Sequence, residues 1–195
     1  SLGVPTEWLS GDEVRRLARP CEFPDALAGA HCAQDGLADP YSVVMAYAEA
    51  ARRLGALCLT EVNVTGIETA SGQIAAVLTS AGRIAAPVVV NAAGPWSAAV
   101  GRMAGLPVPV TPLRRQWLTT APLPQMPADF PFVIDFAQSL YFHREGEGLL
   151  TGMSNPAEAP GEDQTVDRDW ELAHLEAAVQ RLPALAHAGI LARVA

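Results

Sequence analysis

With 195 residues, a 50% apolar fraction and 17% charged residues, the chain is long and apolar enough to bury a sizeable core, which excludes a disordered tail. Its net charge is −8 and all 13 basic residues are arginine, which excludes lysine Schiff-base and general-base chemistry within this segment and makes it a poor nucleic-acid binder. No apolar run approaches the ~20 residues of a membrane helix, no signal pattern opens the chain, and an odd set of cysteines (Cys21, Cys32, Cys58) argues against a disulfide framework, so a cytoplasmic setting is expected.

Residues 1–38 read as short helical and loop pieces. Ser10-Gly11-Asp12-Glu13 can open a helix, and the stretch from Pro20 to Asp39 reads as irregular. Asp39-Pro40 then starts the clearest helix, since Asp39 can cap it and Pro40 suits its first position. Val43, Val44, Tyr47, Ala50, Ala51 and Leu54 recur at helical spacing, Arg52 and Arg53 fill the last turn, and Gly55 is the expected stop.

Short strands follow. Residues 56–60 are apolar and β-prone. Residues 64–69 and 73–79 flank Ala70-Ser71-Gly72, a hairpin signal, and residues 83–85 suggest a third strand. Val88-Val89-Val90-Asn91 lacks alternation, which predicts a strand buried on both faces of a parallel sheet. A turn, Ala92-Ala93-Gly94-Pro95, leads into a helix over residues 96–104 that ends at Gly105. Seven of the 16 prolines lie in residues 107–131, which reads as a crossing between lobes with one strand at 113–120. Residues 132–136, 140–144 and 149–153 predict an antiparallel sheet, with Glu145-Gly146-Glu147-Gly148 as a hairpin turn. The last strong helix starts near Asp167, carries Leu172, Leu175, Val179 and Leu182, and stops at Pro183. A new apolar run opens at Ile190, and Ser1 stands where a starting Met would. Both ends therefore suggest a central piece of a longer protein.

The strand-to-helix turn at 91–97 is the sharpest candidate for a ligand. Small side chains admit a ligand to the backbone, and ligands of open α/β sheets bind at the carboxyl ends of such strands. A tightly packed turn would use the same residues. Other candidates are weaker. His31 and Cys32 lack the second ligand pair of a zinc site, so no metal is expected. His174 falls on the polar side of its helix and reads as a surface residue. Arg114 and Arg115 suggest an edge-strand salt bridge, and the acidic run 158–169 a solvated loop and helix start.

In order along the chain, Asp35-Gly36-Leu37-Ala38-Asp39-Pro40, Val64-Thr65-Gly66-Ile67, Thr79-Ser80-Ala81-Gly82-Arg83-Ile84 and Val88-Val89-Val90-Asn91-Ala92-Ala93-Gly94-Pro95-Trp96-Ser97 resemble the middle of the flavin-dependent amine and amino-acid oxidoreductases. That family includes glycine oxidase, D-amino-acid oxidase, dimethylglycine dehydrogenase and sarcosine oxidase. The segment from Tyr141 to Ser154 is most similar to the β-subunit type of sarcosine oxidase.

The resemblance implies a mixed α/β fold: part of an FAD-binding lobe with parallel strands and helices, and a substrate lobe with a mostly antiparallel sheet. The division would be 1–38 (N-terminal segment of the substrate lobe), 39–106 (partial FAD-binding lobe) and 107–195 (truncated substrate lobe). It implies FAD as cofactor and removal of hydride from the C–H beside an amine nitrogen, with a small amine or amino acid such as sarcosine or glycine as substrate. Further subunits of a hetero-oligomeric oxidase are possible partners under this resemblance. Val64, Ala92, Ala93, Gly94 and Trp96 would lie along the cofactor. Tyr141 and His143, on one face of one strand, would look toward substrate, though a half-exposed sheet face explains them too, and His143 at its hairpin reads as solvated. The family's glycine-rich phosphate loop is absent from the sequence, so this chain alone is expected to bind FAD weakly or not at all. A non-catalytic scaffold domain that keeps the fold is the alternative reading.

Overall fold

A computed structural model describes residues 3–195. Contacts divide the chain into two units, Ser1–Gln34 with Leu113–Ala195, and Asp35–Pro112.

The first unit starts with β1 (Glu7–Ser10), α1 (Gly11–Leu17) and β2 (Ala28–His31). Ser10 and Glu13 form a reciprocal capping box that satisfies two backbone donors at the start of α1. β1 and β2 pair antiparallel, so the region expected to be helix and loop is also a two-stranded ribbon. That pairing joins residues about twenty apart, which no local signal reports.

The unit's main sheet contains β6 (Gln116–Thr120), β7 (Val133–Asp135), β8 (Leu140–Glu145), β9 (Gly148–Met153) and β10 (Ile190–Val194). Their order is β10-β6-β9-β8-β7, and every neighbouring pair is antiparallel. The apolar run at Ile190 is therefore an edge strand on β6. The β8–β9 hairpin turns on Gly146 and Glu147, with Gly146 at φ +58°, as the glycine there predicts.

Alternation along β8 sends Leu140 and Phe142 into the core, where they meet Leu149, Met153, Phe23, Met126, Ala178 and Leu182. Each large apolar side chain buried there is worth about 1.5–3 kcal/mol. Helix α4 (Arg168–Arg181), capped by Asp167, covers this face.

The face that α4 buries includes part of the apolar stripe seen in the sequence, since Leu182 is buried and Val179 packs against the core, but it is centred elsewhere. Leu172 is 61% exposed, whereas His174, Ala177, Ala178 and Arg181 are buried. The two alanines allow close approach to the sheet, and both polar members find partners. His174 Nε2 and the Thr151 hydroxyl of β9 are hydrogen-bonded at 3.0 Å. Arg181 clamps Asp25 in bidentate fashion and also holds Asp135, while its guanidinium lies 5.0 Å from the Phe23 ring centre. His174 is thus a core residue, correcting the surface assignment.

Arg114, just ahead of β6, is almost buried and pairs with Glu158, Asp163 and Asp167. This clamp gathers the acidic loop, so Glu158 is held rather than solvated, and β6 is flanked on both sides instead of lying at an edge.

The second unit contains α2 (Pro40–Arg53), β3 (Val64–Ala70), β4 (Gln73–Thr79), β5 (Gly82–Ala85) and α3 (Ser97–Met103). Asp39 accepts hydrogen bonds from the Tyr41 and Ser42 amides and caps α2, as its sequence predicts. β3, β4 and β5 form an antiparallel meander. The β3–β4 turn places Ser71 and Gly72 at φ +51° and +76°, the geometry that matches strand twist in tight hairpins.

Two expectations fail in this unit. Residues 56–60 and 88–91 form no strand, and Val88 and Val90 are 75% and 84% exposed. A strand needs a neighbour for its backbone groups, and none lies beside these segments among the described residues. The parallel strands expected here are accordingly not formed. α2 is in the same situation: its helix is complete, yet it buries no residue.

Candidate active site

The β-sheet of the first unit has two unlike faces. One packs under α4. On the other, register aligns Ile134, Tyr141, Gly152, Trp117 and Val194 in one row across the five strands. His143, Leu150 and Thr119 form a second row. Tyr141, His143, Trp117, Thr119 and Leu150 are half-buried, and Ile134 is exposed. The result is an open aromatic surface with a few polar groups, the composition usual for small-molecule sites.

Tyr141 and His143 stand two residues apart on β8 and share this face, as their spacing predicts. Phe132 presents its ring edge-on to both, at 5.9 Å from Tyr141 and 5.3 Å from His143. Burial pushes the Tyr141 phenol above its ordinary pKa, so the hydroxyl keeps its proton at neutral pH and can donate a hydrogen bond.

His143 Nδ1 lies 2.8 Å from the Arg144 carbonyl oxygen. A carbonyl only accepts, so Nδ1 carries a proton, and in the neutral ring the Nε2 lone pair is then available. Glu145 is 4.0 Å from Nδ1. His143 has 14% of its side chain exposed, so it is more enclosed than its place at a hairpin suggested.

The turn at residues 91–97 is organised by Asn91. Its Oδ1 accepts the Ala93 amide at 3.3 Å and its Nδ2 donates to the Ser97 carbonyl at 2.9 Å. Residues Gly94–Trp96 make one 3-10 turn that runs into α3. Gly94 has φ +53°, and a side chain built there would meet nothing within 4 Å. Ala92 and Gly94 are exposed, Ala93 is half-buried, and Trp96 is exposed. The backbone of this turn is open to a flat ligand, and its small side chains fit a cofactor laid against it. Val64, partly exposed, opens β3 opposite Thr79. Val64 and the turn at 92–96 belong to the second unit, whereas Tyr141 and His143 belong to the first.

Sequence reasoning missed Phe132 and Gly152 as neighbours of Tyr141, Trp117 as a member of the same row, and Asn91 as the organiser of the turn. The signal for Gly152 was present. A two-residue turn at Gly146-Glu147 pairs 145 with 148, and counting outward pairs 141 with 152. Among the described residues no group of three or more His, Cys, Asp or Glu is arranged to hold a metal, and no helix is long and apolar enough to cross a membrane.

Comparison with known proteins adds to this geometry. The profile of the family described as DAO, FAD dependent oxidoreductase, matches residues 1–195. Mouse mitochondrial dimethylglycine dehydrogenase is 34% identical over 94% of this chain and 23% of its own length. Human mitochondrial sarcosine dehydrogenase is 31% identical over all of this chain and 22% of its own. The crystal structure of L-proline dehydrogenase from P. horikoshii superposes with a TM-score of 0.87 at 26% identity, over 98% of this chain and 52% of that one. The chain therefore spans about a quarter of the length of the curated relatives it matches.

Proposed function

The chain belongs to the FAD dependent oxidoreductase family, and from that premise we propose that the whole protein oxidises a small N-methylated amino acid such as dimethylglycine or sarcosine. The observation that carries the choice of substrate is the 34% identity to a dimethylglycine dehydrogenase across 94% of this chain. FAD, when bound, would accept the hydride from the carbon beside the amine nitrogen.

This chain would supply two things. Val64, Ala92, Ala93, Gly94 and Trp96 would lie along the cofactor, since the open turn lets its backbone approach a planar group. The β8 face would take the substrate. There the Tyr141 hydroxyl would donate a hydrogen bond that fixes the orientation of the amino acid. His143 Nε2 would accept the proton that a substrate ammonium loses on becoming the neutral amine, the form from which hydride leaves. Phe132, edge-on to both rings, would keep water from the polar pair.

The test is anaerobic mixing of the full-length holoprotein with dimethylglycine, sarcosine, glycine and proline in turn. Bleaching of the flavin by the N-methylated compounds ahead of glycine and proline is expected. Bleaching by proline or glycine alone would replace the substrate assignment, and bleaching by none of the four would overturn the reading.

A further inference from the structure

Gly152 lies in the interior of β9, and its register is unbroken on both sides, against Tyr141 of β8 and Trp117 of β6. Its φ is not in the left-handed region, so the backbone does not demand glycine. A glycine inside a strand weakens it and packs nothing, and such a position usually marks a close approach. The approach here is by the Tyr141 ring. A Cβ built on Gly152 would collide with Tyr141 Oη and Cζ, and would stand only 2.6 Å from Cε1. The phenol therefore lies flat across the neighbouring strand, with its hydroxyl over β9 instead of upright above β8. Phe132 closes the other side, its ring edge-on at 75°. An aromatic residue shielding a cross-strand glycine is a known device for stabilising sheets; here the tyrosine is also the polar group of an open face.

We propose that Gly152 is a positioning residue, whose missing side chain creates the notch that lays Tyr141 across β9 and sets where its hydroxyl meets the amino-acid substrate. The inference rests on the reading of Tyr141 as a substrate-orienting group. A methyl at position 152 leaves the backbone pairing of β9 in place, but the Tyr141 ring must shift to admit it, and its hydroxyl moves with it.

The experiment is a double-mutant cycle in the full-length holoprotein with Gly152→Ala, Tyr141→Ala and both together. It reads the anaerobic rate of flavin bleaching by dimethylglycine, the apparent dissociation constant, and the thermal midpoint. Gly152→Ala is expected to slow bleaching or weaken binding by about tenfold or more, since misplacing a reacting group by about 1 Å can cost a hundredfold. In the Tyr141→Ala background the same change is expected to alter neither kinetics nor melting, because the methyl then enters the space the ring has left. If Gly152→Ala fails to fold, Tyr141→Ala must restore folding. Loss of activity in Tyr141→Ala with wild-type behaviour in Gly152→Ala overturns this inference alone. So does an effect of Gly152→Ala that is the same in both backgrounds. Wild-type kinetics in Tyr141→Ala overturns the reading of Tyr141, and this inference with it.

Discussion

His174 stands neutral in the core. Burial holds its imidazole down at about 4, and the neighbouring Glu171 carboxylate only partly opposes this. The sign follows from proton counting. Between about pH 6.5 and about pH 4 the unfolded chain binds a proton that the folded chain refuses. Stability is complete above that window, falls as pH drops through it, and levels off below. The whole effect is on the order of 3 kcal/mol. Urea titrations should show wild type losing stability between about pH 7 and about pH 5, and His174→Gln losing less. Equal losses would mean that another group controls the acid response. His174 was unreadable from sequence for a physical reason. The apolar stripe Leu172, Leu175, Val179 and Leu182 marks only part of the buried face; the rest is set by partners far away in sequence, Thr151 for His174 and Asp25 with Asp135 for Arg181. Tyr141 and His143 were placed on one face correctly, because that statement needs only the period of a strand.

Elements whose signals are local formed as their residues predict. Asp39 and Pro40 start α2, Ser71-Gly72 turns one hairpin and Gly146-Glu147 another. Hydrogen bonds from the Ser42 side chain and the Ser42 and Tyr41 amides hold the Asp39 carboxyl below its usual pKa, a mark of a working cap. Because α2 buries no residue, little tertiary packing can compensate for a lost cap. Asp39→Ala should therefore destabilise α2 and lower helical circular dichroism. An unchanged helix signal would show that α2 is held by something other than its cap. Segments 56–60 and 88–91 carry equally strong β-propensity and formed nothing, since propensity cannot supply a neighbouring strand. Two features of the first unit were hidden for the same reason: the β1–β2 ribbon and the pairing of β10 with β6 each depend on a distant partner.

At the scale of the molecule, the family was legible from the order of its motifs, and the mixed α/β class followed from that resemblance. The arrangement of strands across the main sheet, β10-β6-β9-β8-β7, was not legible, because no local pattern states which strands are neighbours. The second unit leaves Val44, Tyr47, Leu54, Leu57, Val88 and Val90 exposed, and apolar surface of this extent is a mark of a face that another segment or molecule covers. The chain also has no glycine-rich phosphate loop. It should accordingly bind FAD weakly by itself, and a titration of this chain yielding a micromolar or tighter constant would contradict that expectation.

The most direct test of the central claim is the anaerobic rate at which dimethylglycine bleaches the flavin of the full-length protein, compared between wild type and Tyr141→Phe. If the β8 face receives the substrate, bleaching occurs in the wild type and loss of one hydrogen bond slows it by about tenfold in the variant. Equal rates in the two proteins, or no bleaching in either, would contradict the account.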